Sequence, residues 1–422
     1  MTNDGRANGA RPRVVITGIG AITPLGLTWK DTWAGLLEGR SAVKPITHFD
    51  ATDYPTRIAA LVDGFDPQQF MEAKDAKRLG RITQFGWAAT VQALEQSGLD
   101  LSKEDPERVG VEIGSAFGAL DLLEEQSHTL RDRGPRRINP AVAPAVLIST
   151  TPCYVAIQLG IQGPVNSQVT ACATGIVSLG EAARRLQDGE VDVMIAGGAD
   201  AYTTPLIIAA FSRLGAMSTR NDEPKRACRP FDRTRDGMVL SEGAVVMIME
   251  TLEHAQARGA TILAEYGGYA LTSDAYNLAA PEPNGRGAAL AMSRALQRAG
   301  MRPEQIHYIC AHGTGTQLND ASETAAIKKA LGEAAYEIPV SSVKSMIGHM
   351  MGASGSLSAA VLVQAINDGV VPPTINYQEP DPACDLDYVP NQARQHRVDA
   401  AMCNAFGFGG QNASIVIKRF EP

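Results

Sequence analysis

The stretch "SQVTACATGIVSLGEAARRLQDG", residues 167–189, reads as a strand-like lead-in, a turn of small residues around Cys172, and an amphipathic helix that closes on Asp-Gly. The same grammar returns at "SSVKSMIGHMMGASGSLSAAVLVQAINDG", residues 341–369. Aligning the two Asp-Gly ends superposes Gly175 on Gly355 and Val177 on Leu357. A strand–turn–helix unit met twice predicts an internal duplication, with two related halves meeting near residue 260 and sharing one layered core. The expected division is a loose polar tail over 1–12, a first half over 13–260 and a second half over 261–422.

Outward from these units, apolar strand-like runs alternate with helical ones. Residues 13–23, 109–118, 191–201 and 243–250 are near-continuous Val, Ile and Met runs, as a sheet covered on both faces requires. Residues 287–300 and 321–332 carry helical periodicity, and Asp320 with Glu323 has the spacing of a capping box at the start of the second. The pattern is α/β.

Composition excludes several classes. Among 422 residues, 44% are hydrophobic and 20% charged, the balance of a soluble globular chain with an ample core. A net charge of −8 argues against a nucleic-acid binder. No apolar run approaches the ~18 residues of a membrane span, and the polar N-terminus lacks a signal-peptide core. Six cysteines without a CxxC or a close pair give no zinc spacing and no disulfide framework, which fits a reducing cytoplasm.

Cys172 taken alone is a small hydrophobe at a helix start. Its neighbours Ala171, Ala173, Thr174 and Gly175 leave room for a thioester, and the helix N-terminus beside the sulfur is expected to lower the thiol pKa and to supply donors to an oxyanion. Of seven histidines, His312 in "AHGTGT" and His349 in "SMIGHMMGASG" stand where a strand gives way to a glycine-bearing turn. They read equally as polar groups satisfied at sheet edges. The remaining five have no such setting. In "NAFGFGG", 404–410, glycines allow close backbone approach while Phe406 or Phe408 can close over a substrate. The plain alternative is a glycine-rich bulge with aromatics in the core.

Together, in this order, "VTACATG", "AHGTGT", "VKSMIGHMMGASG" and "NAFGFGG" resemble the β-ketoacyl-acyl carrier protein synthases, in particular the elongating Cys-His-His, KAS II-like type. The resemblance runs from "VVITGIGAITPLG" to the last strand. It implies the thiolase fold, five layers α-β-α-β-α built from two similar halves, and a homodimer. It implies Cys172 as the acylated nucleophile and His312 and His349 as donors to the enolate formed when malonyl-carrier protein loses carbon dioxide. By the same likeness Lys344 orders the histidine pair, and the oxyanion sits between the N–H groups of Cys172 and Phe408. Phe408 is the gate with Phe406 beside it, and Thr314 and Thr316 hold the pantetheine arm. Neither metal nor redox cofactor is expected. Acidic acyl carrier protein would dock on Lys74, Lys77, Arg78 and Arg81, read as one short helical stretch.

The chain departs from that pattern in places. Ser358 stands where the family has a glutamate pairing with the lysine, which puts the charge around Lys344 in question. Phe117 occupies an acyl-pocket position where long-chain enzymes carry a smaller aliphatic residue, while Ala141 and Val142 replace two phenylalanines contributed across the dimer. Chain-length preference therefore stays open. Rival readings are a degradative thiolase using Cys403, a chain-length partner subunit, and a type II polyketide ketosynthase subunit with the same chemistry.

Overall fold

Eight elements from the first part of the chain recur in the same order in the second. The first run is β1 (Val14–Ile22), α1 (Arg81–Ser97), β2 (Val109–Gly114), α2 (Thr150–Leu159), β3 (Val165–Asn166), α3 (Thr174–Gln187), β4 (Val193–Asp200) and β5 (Gly243–Thr251). The second is β6 (Ala264–Ser273), α4 (Arg286–Ala299), β7 (Tyr308–Cys310), α5 (Gln317–Leu331), β8 (Val340–Ser341), α6 (Gly352–Asp368), β9 (Ala400–Gly407) and β10 (Gln411–Lys418). The computed structural model describes residues 11–422. Most of the expected tail, residues 1–10, lies outside the described residues.

The ten strands form one sheet in the order β8-β7-β9-β10-β6-β1-β5-β4-β2-β3. Equating β6–β10 with β1–β5 makes that order the same from either end. Pairing obeys the same equation. Contacts β2·β3 and β2·β4 are parallel, as are β7·β8 and β7·β9. Contacts β4·β5 and β1·β5 are antiparallel, as are β9·β10 and β6·β10. The halves join where β1 meets β6 antiparallel at Val15↔Glu265 and Ile16↔Ala264.

The apolar runs become strands buried at every residue in β1, β2, β4 and β5, because helices cover both sheet faces. On one outer face, Ile82, Phe85 and Ala89 of α1 pack on Ile113, Ile195 and Val246. On the other, Met292, Leu296 and Ile327 of α4 and α5 pack on Ile309, Met402 and Val416. Between the two five-stranded halves of the sheet lie α3 and α6, whose Ile176, Leu179, Leu357 and Val361 fill the central core. The result is the five-layered α-β-α-β-α thiolase fold built from two similar halves.

Gly175 and Gly355, the pair aligned by sequence, face each other where α3 crosses α6. A Cβ on Gly175 would lie 2.4 Å from Ser356 N, and one on Gly355 would lie 2.6 Å from Ile176 N. Only glycine permits main chains to approach this closely.

Two local expectations fail. The helix read from 321 begins at Gln317, capped by Thr316 Oγ1, which accepts from Asn319 N–H at 3.4 Å. Asp320 and Glu323 therefore lie inside the helix and form no capping box. The basic stretch is not one helix either. Ala73–Ala76 makes a single turn, and α1 starts afresh at Arg81 after Gly80.

Candidate active site

Cys172 sits in the turn Ala171–Ala173 immediately before α3. Ala171 holds a left-handed φ of 48°, a conformation a non-glycine residue adopts only when its surroundings enforce it. Thr174 supplies part of that enforcement, its Oγ1 donating to Ala171 O at 2.8 Å and accepting from Thr170 N–H at 2.9 Å. From the other half, Gly407 lies against the same turn; a Cβ there would stand 2.7 Å from Thr170 O and 3.2 Å from Cys172 N. This close approach brings the Phe408 N–H, with the N–H of Cys172 itself, near enough to the sulfur to favour its thiolate form.

Burial pushes the Cys172 thiol up to about 11, against the opposing pull of Lys344 and of these two N–H groups. The expectation of a lowered pKa is thus corrected: desolvation outweighs the helix terminus. The resting group is a neutral thiol with two main-chain donors beside it.

His312 follows β7, and His349 precedes α6. Their ring centroids lie 5.4 Å apart at 82° to each other, with Phe406 5.6 Å from His312. Backbone N–H of Met351 donates to His349 Nδ1 at 3.1 Å, and Ser354 Oγ lies 2.9 Å from the same nitrogen. Because a backbone N–H can only donate, Nδ1 is the acceptor and the neutral ring carries its proton on Nε2. That Nε2 is buried without a partner, as is His312 Nδ1. Burial first and the charge of Lys344 second hold both imidazoles well below the usual 6.5. Both are neutral.

Lys344 is buried, and its Nζ donates to the His312 carbonyl oxygen at 2.6 Å. Burial lowers its pKa, while Cys310 and Glu323 oppose that shift. Ser358 is fully buried beside Cys310. The nearby carboxylate is instead Glu323, which the sequence reading assigned to a helix cap. Its oxygens accept from His312 N–H at 2.8 Å and Gly313 N–H at 2.7 Å. Asp320, one turn earlier, accepts from Thr314 N–H at 3.1 Å, Gly315 N–H at 3.2 Å and Phe231 N–H at 2.8 Å. Two buried carboxylates on α5 thus hold the loop that carries His312. Their i, i+3 spacing was visible in the sequence, and their partners were not.

A cavity of about 360 Å³ runs to Cys172 past His312, His349, Phe406, Phe408, Thr314 and Thr316. The Thr314 and Thr316 hydroxyls lie 3.0 Å apart on its wall. Cys403 is fully buried in β9 in register with Cys310 and does not line it. Cys172, His312 and His349 offer ligand atoms within 4.8 Å of one another, a set chemically able to hold zinc. The protonation deduced for His349 makes its Nε2 a hydrogen-bond donor rather than a ligand.

Other predicted residues lie further out. Phe117 stacks on Tyr202 with centroids 5.1 Å apart, in an apolar cluster that includes Cys172. Ala141 and Val142 are half-buried at the start of the short helix Val142–Ala145. Lys74, Lys77 and Arg78 are exposed. Arg81 is not free to dock a partner, since its guanidinium pairs with Glu242 at 2.8 Å and lies over the Phe85 ring. The sequence reading passed over Arg133, Arg136 and Arg137, which are exposed on and just beyond the helix Leu120–Arg133.

Known proteins resemble the chain along nearly its whole length. Residues 11–255 match the family described as "Beta-ketoacyl synthase, N-terminal domain" and residues 263–378 its "C-terminal domain". The 3-oxoacyl-[acyl-carrier-protein] synthase 2 of Synechocystis sp. is 48% identical, covering 98% of this chain and 100% of that one. The enzyme of the same name from Coxiella burnetii is 46% identical over 96% and 98%. Among solved structures, a beta-ketoacyl synthase from Burkholderia phymatum has a TM-score of 0.90 at 35% identity, covering 97% of this chain and 100% of that chain. A type II polyketide ketosynthase in complex with its acyl-carrier protein has a TM-score of 0.90 at 33% identity, with the same coverage. The chain belongs to the β-ketoacyl synthase family.

Proposed function

We propose that the protein is an elongating β-ketoacyl-acyl carrier protein synthase, an acyltransferase of fatty acid biosynthesis. One observation carries the reading: a thiol and two neutral imidazoles converge within 4.8 Å at the inner end of a cavity.

In the first half-reaction the Cys172 sulfur attacks the acyl thioester on the carrier's pantetheine. Oxyanion charge falls to the N–H groups of Cys172 and Phe408, and the thiol proton leaves with the pantetheine thiol. In the second, malonyl-carrier protein releases carbon dioxide, and the two electrons of the broken C–C bond become an enolate. His312 and His349 each donate an N–H to the thioester oxygen where that charge develops. The carbanion attacks the acyl-Cys172 carbonyl and expels the Cys172 thiolate, which takes up a proton. No step calls for a metal or redox cofactor. Lys344 keeps the imidazoles neutral, and Thr314 and Thr316 hold the pantetheine arm with Phe408 as gate.

Carrier docking is assigned to Lys74, Lys77 and Arg78, joined by Arg133, Arg136 and Arg137. The division into halves at residue 260 is supported by the doubled strand order. A homodimer is supported by the open sheet edge at β3 and by Ile157 and Leu147, which are 75% and 57% exposed nearby in the chain. A cytoplasmic location is supported by six free thiols. A type II polyketide ketosynthase role is the second reading, favoured by the polyketide neighbour, though identity to it is lower. The test is incubation with acyl- and malonyl-carrier protein. The proposal expects carbon dioxide and a 3-oxoacyl product lengthened by the malonyl group's two remaining carbons; decarboxylation without a lengthened product would contradict it.

A further inference from the structure

The cavity that reaches Cys172 is walled by His312, His349, Thr314, Phe406 and Phe408. Phe117, Tyr202 and Phe211 do not line it, yet all three belong to the apolar cluster that contains Cys172. Phe117 stacks on Tyr202 at an interplanar angle of 15° and meets Phe211 edge-on at 6.4 Å. An alkyl chain growing from the sulfur into this cluster meets a packed set of rings.

Tyr202 has a second contact. It is fully buried, and its hydroxyl donates to the His349 carbonyl oxygen at 2.6 Å. Two residues earlier, the Asp200 carboxylate accepts from Ser115 Oγ at 2.7 Å, Ala116 N–H at 3.0 Å and Gly352 N–H at 2.7 Å. The segment 200–202 therefore fastens the loop bearing Phe117 to the segment bearing His349.

We propose that Tyr202 is a specificity-determining and positioning residue: its ring, stacked on Phe117, limits Cys172 to short acyl chains, and its hydroxyl holds His349 for decarboxylation. The proposal rests on the ketosynthase reading above. A chain long enough to displace Phe117 must unstack it from Tyr202. Moving Tyr202 in turn breaks the bond that fixes the His349 main chain. Excess length is thereby penalised at loading and at condensation alike.

The test compares wild type, Tyr202→Ala and Tyr202→Phe, using carriers bearing acetyl through palmitoyl groups and reading Cys172 acylation by intact mass. Wild type is expected to load chains beyond its limit at least about tenfold more slowly, the consequence of overpacking. Tyr202→Ala should move that limit several carbons longer; should it fail to fold, Phe117→Ala removes the other stacked ring and should move it the same way. Tyr202→Phe should keep the limit but lower kcat for malonyl decarboxylation about 3–10-fold, with KM unmoved. Equal loading of butyryl and palmitoyl by wild type, or an unmoved limit in the alanine variants, would overturn the specificity role. A wild-type kcat in Tyr202→Phe would overturn the positioning role. Absence of Cys172 acylation by every carrier would overturn the ketosynthase reading itself, and this proposal with it.

Discussion

Lys344 reaches His312 through the main chain: its Nζ bonds the His312 carbonyl oxygen at 2.6 Å and leaves the imidazole free to face the cavity. The lysine therefore acts on the ring by its charge and by fixing the loop. A buried cation beside two imidazoles disfavours protonating either, and both are held well below 6.5 by burial and by Lys344.

The pH profile follows. Wild-type decarboxylation should show no inflection from His312 or His349 near the ordinary imidazole value of about 6.5. An inflection near 7 would report Glu323, which burial pushes up to about 7. In Lys344→Met the opposing charge is gone, the imidazole pKa values rise, and activity should fail on acidification at a higher pH than in wild type. Loss of the charged hydrogen bond should also cost about 10–100-fold at neutral pH. Profiles of malonyl decarboxylation check both, and superimposable curves would count against the role.

His312→Ala and His349→Ala should each lower decarboxylation by about 10²–10³, the cost of one lost donor to a developing oxyanion. Transfer of the acyl group onto Cys172 should survive better, because its oxyanion is served by main-chain N–H groups. Single-turnover measurements of the two half-reactions separate these effects. Equal losses in both would mean the histidines hold the fold.

Glu323 accepts two loop N–H groups with its two oxygens. Glu323→Gln turns one acceptor into a donor facing a donor, at a cost of about 1–3 kcal/mol. Denaturant unfolding should register that loss, and decarboxylation should fall more than Cys172 loading because the loop carries His312. An unchanged midpoint with unchanged decarboxylation would contradict this account.

Outside the cavity lining, His254 lies 2.7 Å from Glu250 and 2.9 Å from Glu104. The hydrogen bond to Glu250, with help from Glu104, raises its pKa to about 8. A folded pKa above the unfolded value means stability that is fully present below about 6.5 and lost as pH rises through about 8. After allowance for solvent screening this amounts to about 1–2 kcal/mol. His254→Leu should flatten the stability curve across that interval in denaturant titrations at stepped pH.

The doubled architecture was legible because duplication leaves its mark in local chemistry. The two Asp-Gly helix ends set the alignment that pairs Gly175 with Gly355, and those glycines prove to touch. The local setting of Cys172, His312 and His349, turns of small residues beside apolar strands, fits a satisfied polar group as well as a site. It is the four motifs together, by their family resemblance, that single these residues out, and the fold brings their ligand atoms within 4.8 Å of one another. What the sequence hid depends on partners distant along the chain. The Cys172 thiol is raised rather than lowered because the fold buries it, with Met351 Sδ from the other half 3.6 Å from the sulfur. Arg81 belongs to a basic run along the chain, yet Glu242, distant in sequence, holds its guanidinium. Tyr202 carried no motif at all, and only its stacking on Phe117 and its bond to His349 give it a role.

The central claim is that Cys172 carries the acyl group. Incubation with acyl-carrier protein followed by peptide mapping by mass spectrometry tests it most directly. The account predicts one acyl adduct on the peptide containing Cys172, abolished with condensation in Cys172→Ala. An adduct on Cys153 or Cys403 instead, with condensation intact in Cys172→Ala, would contradict it.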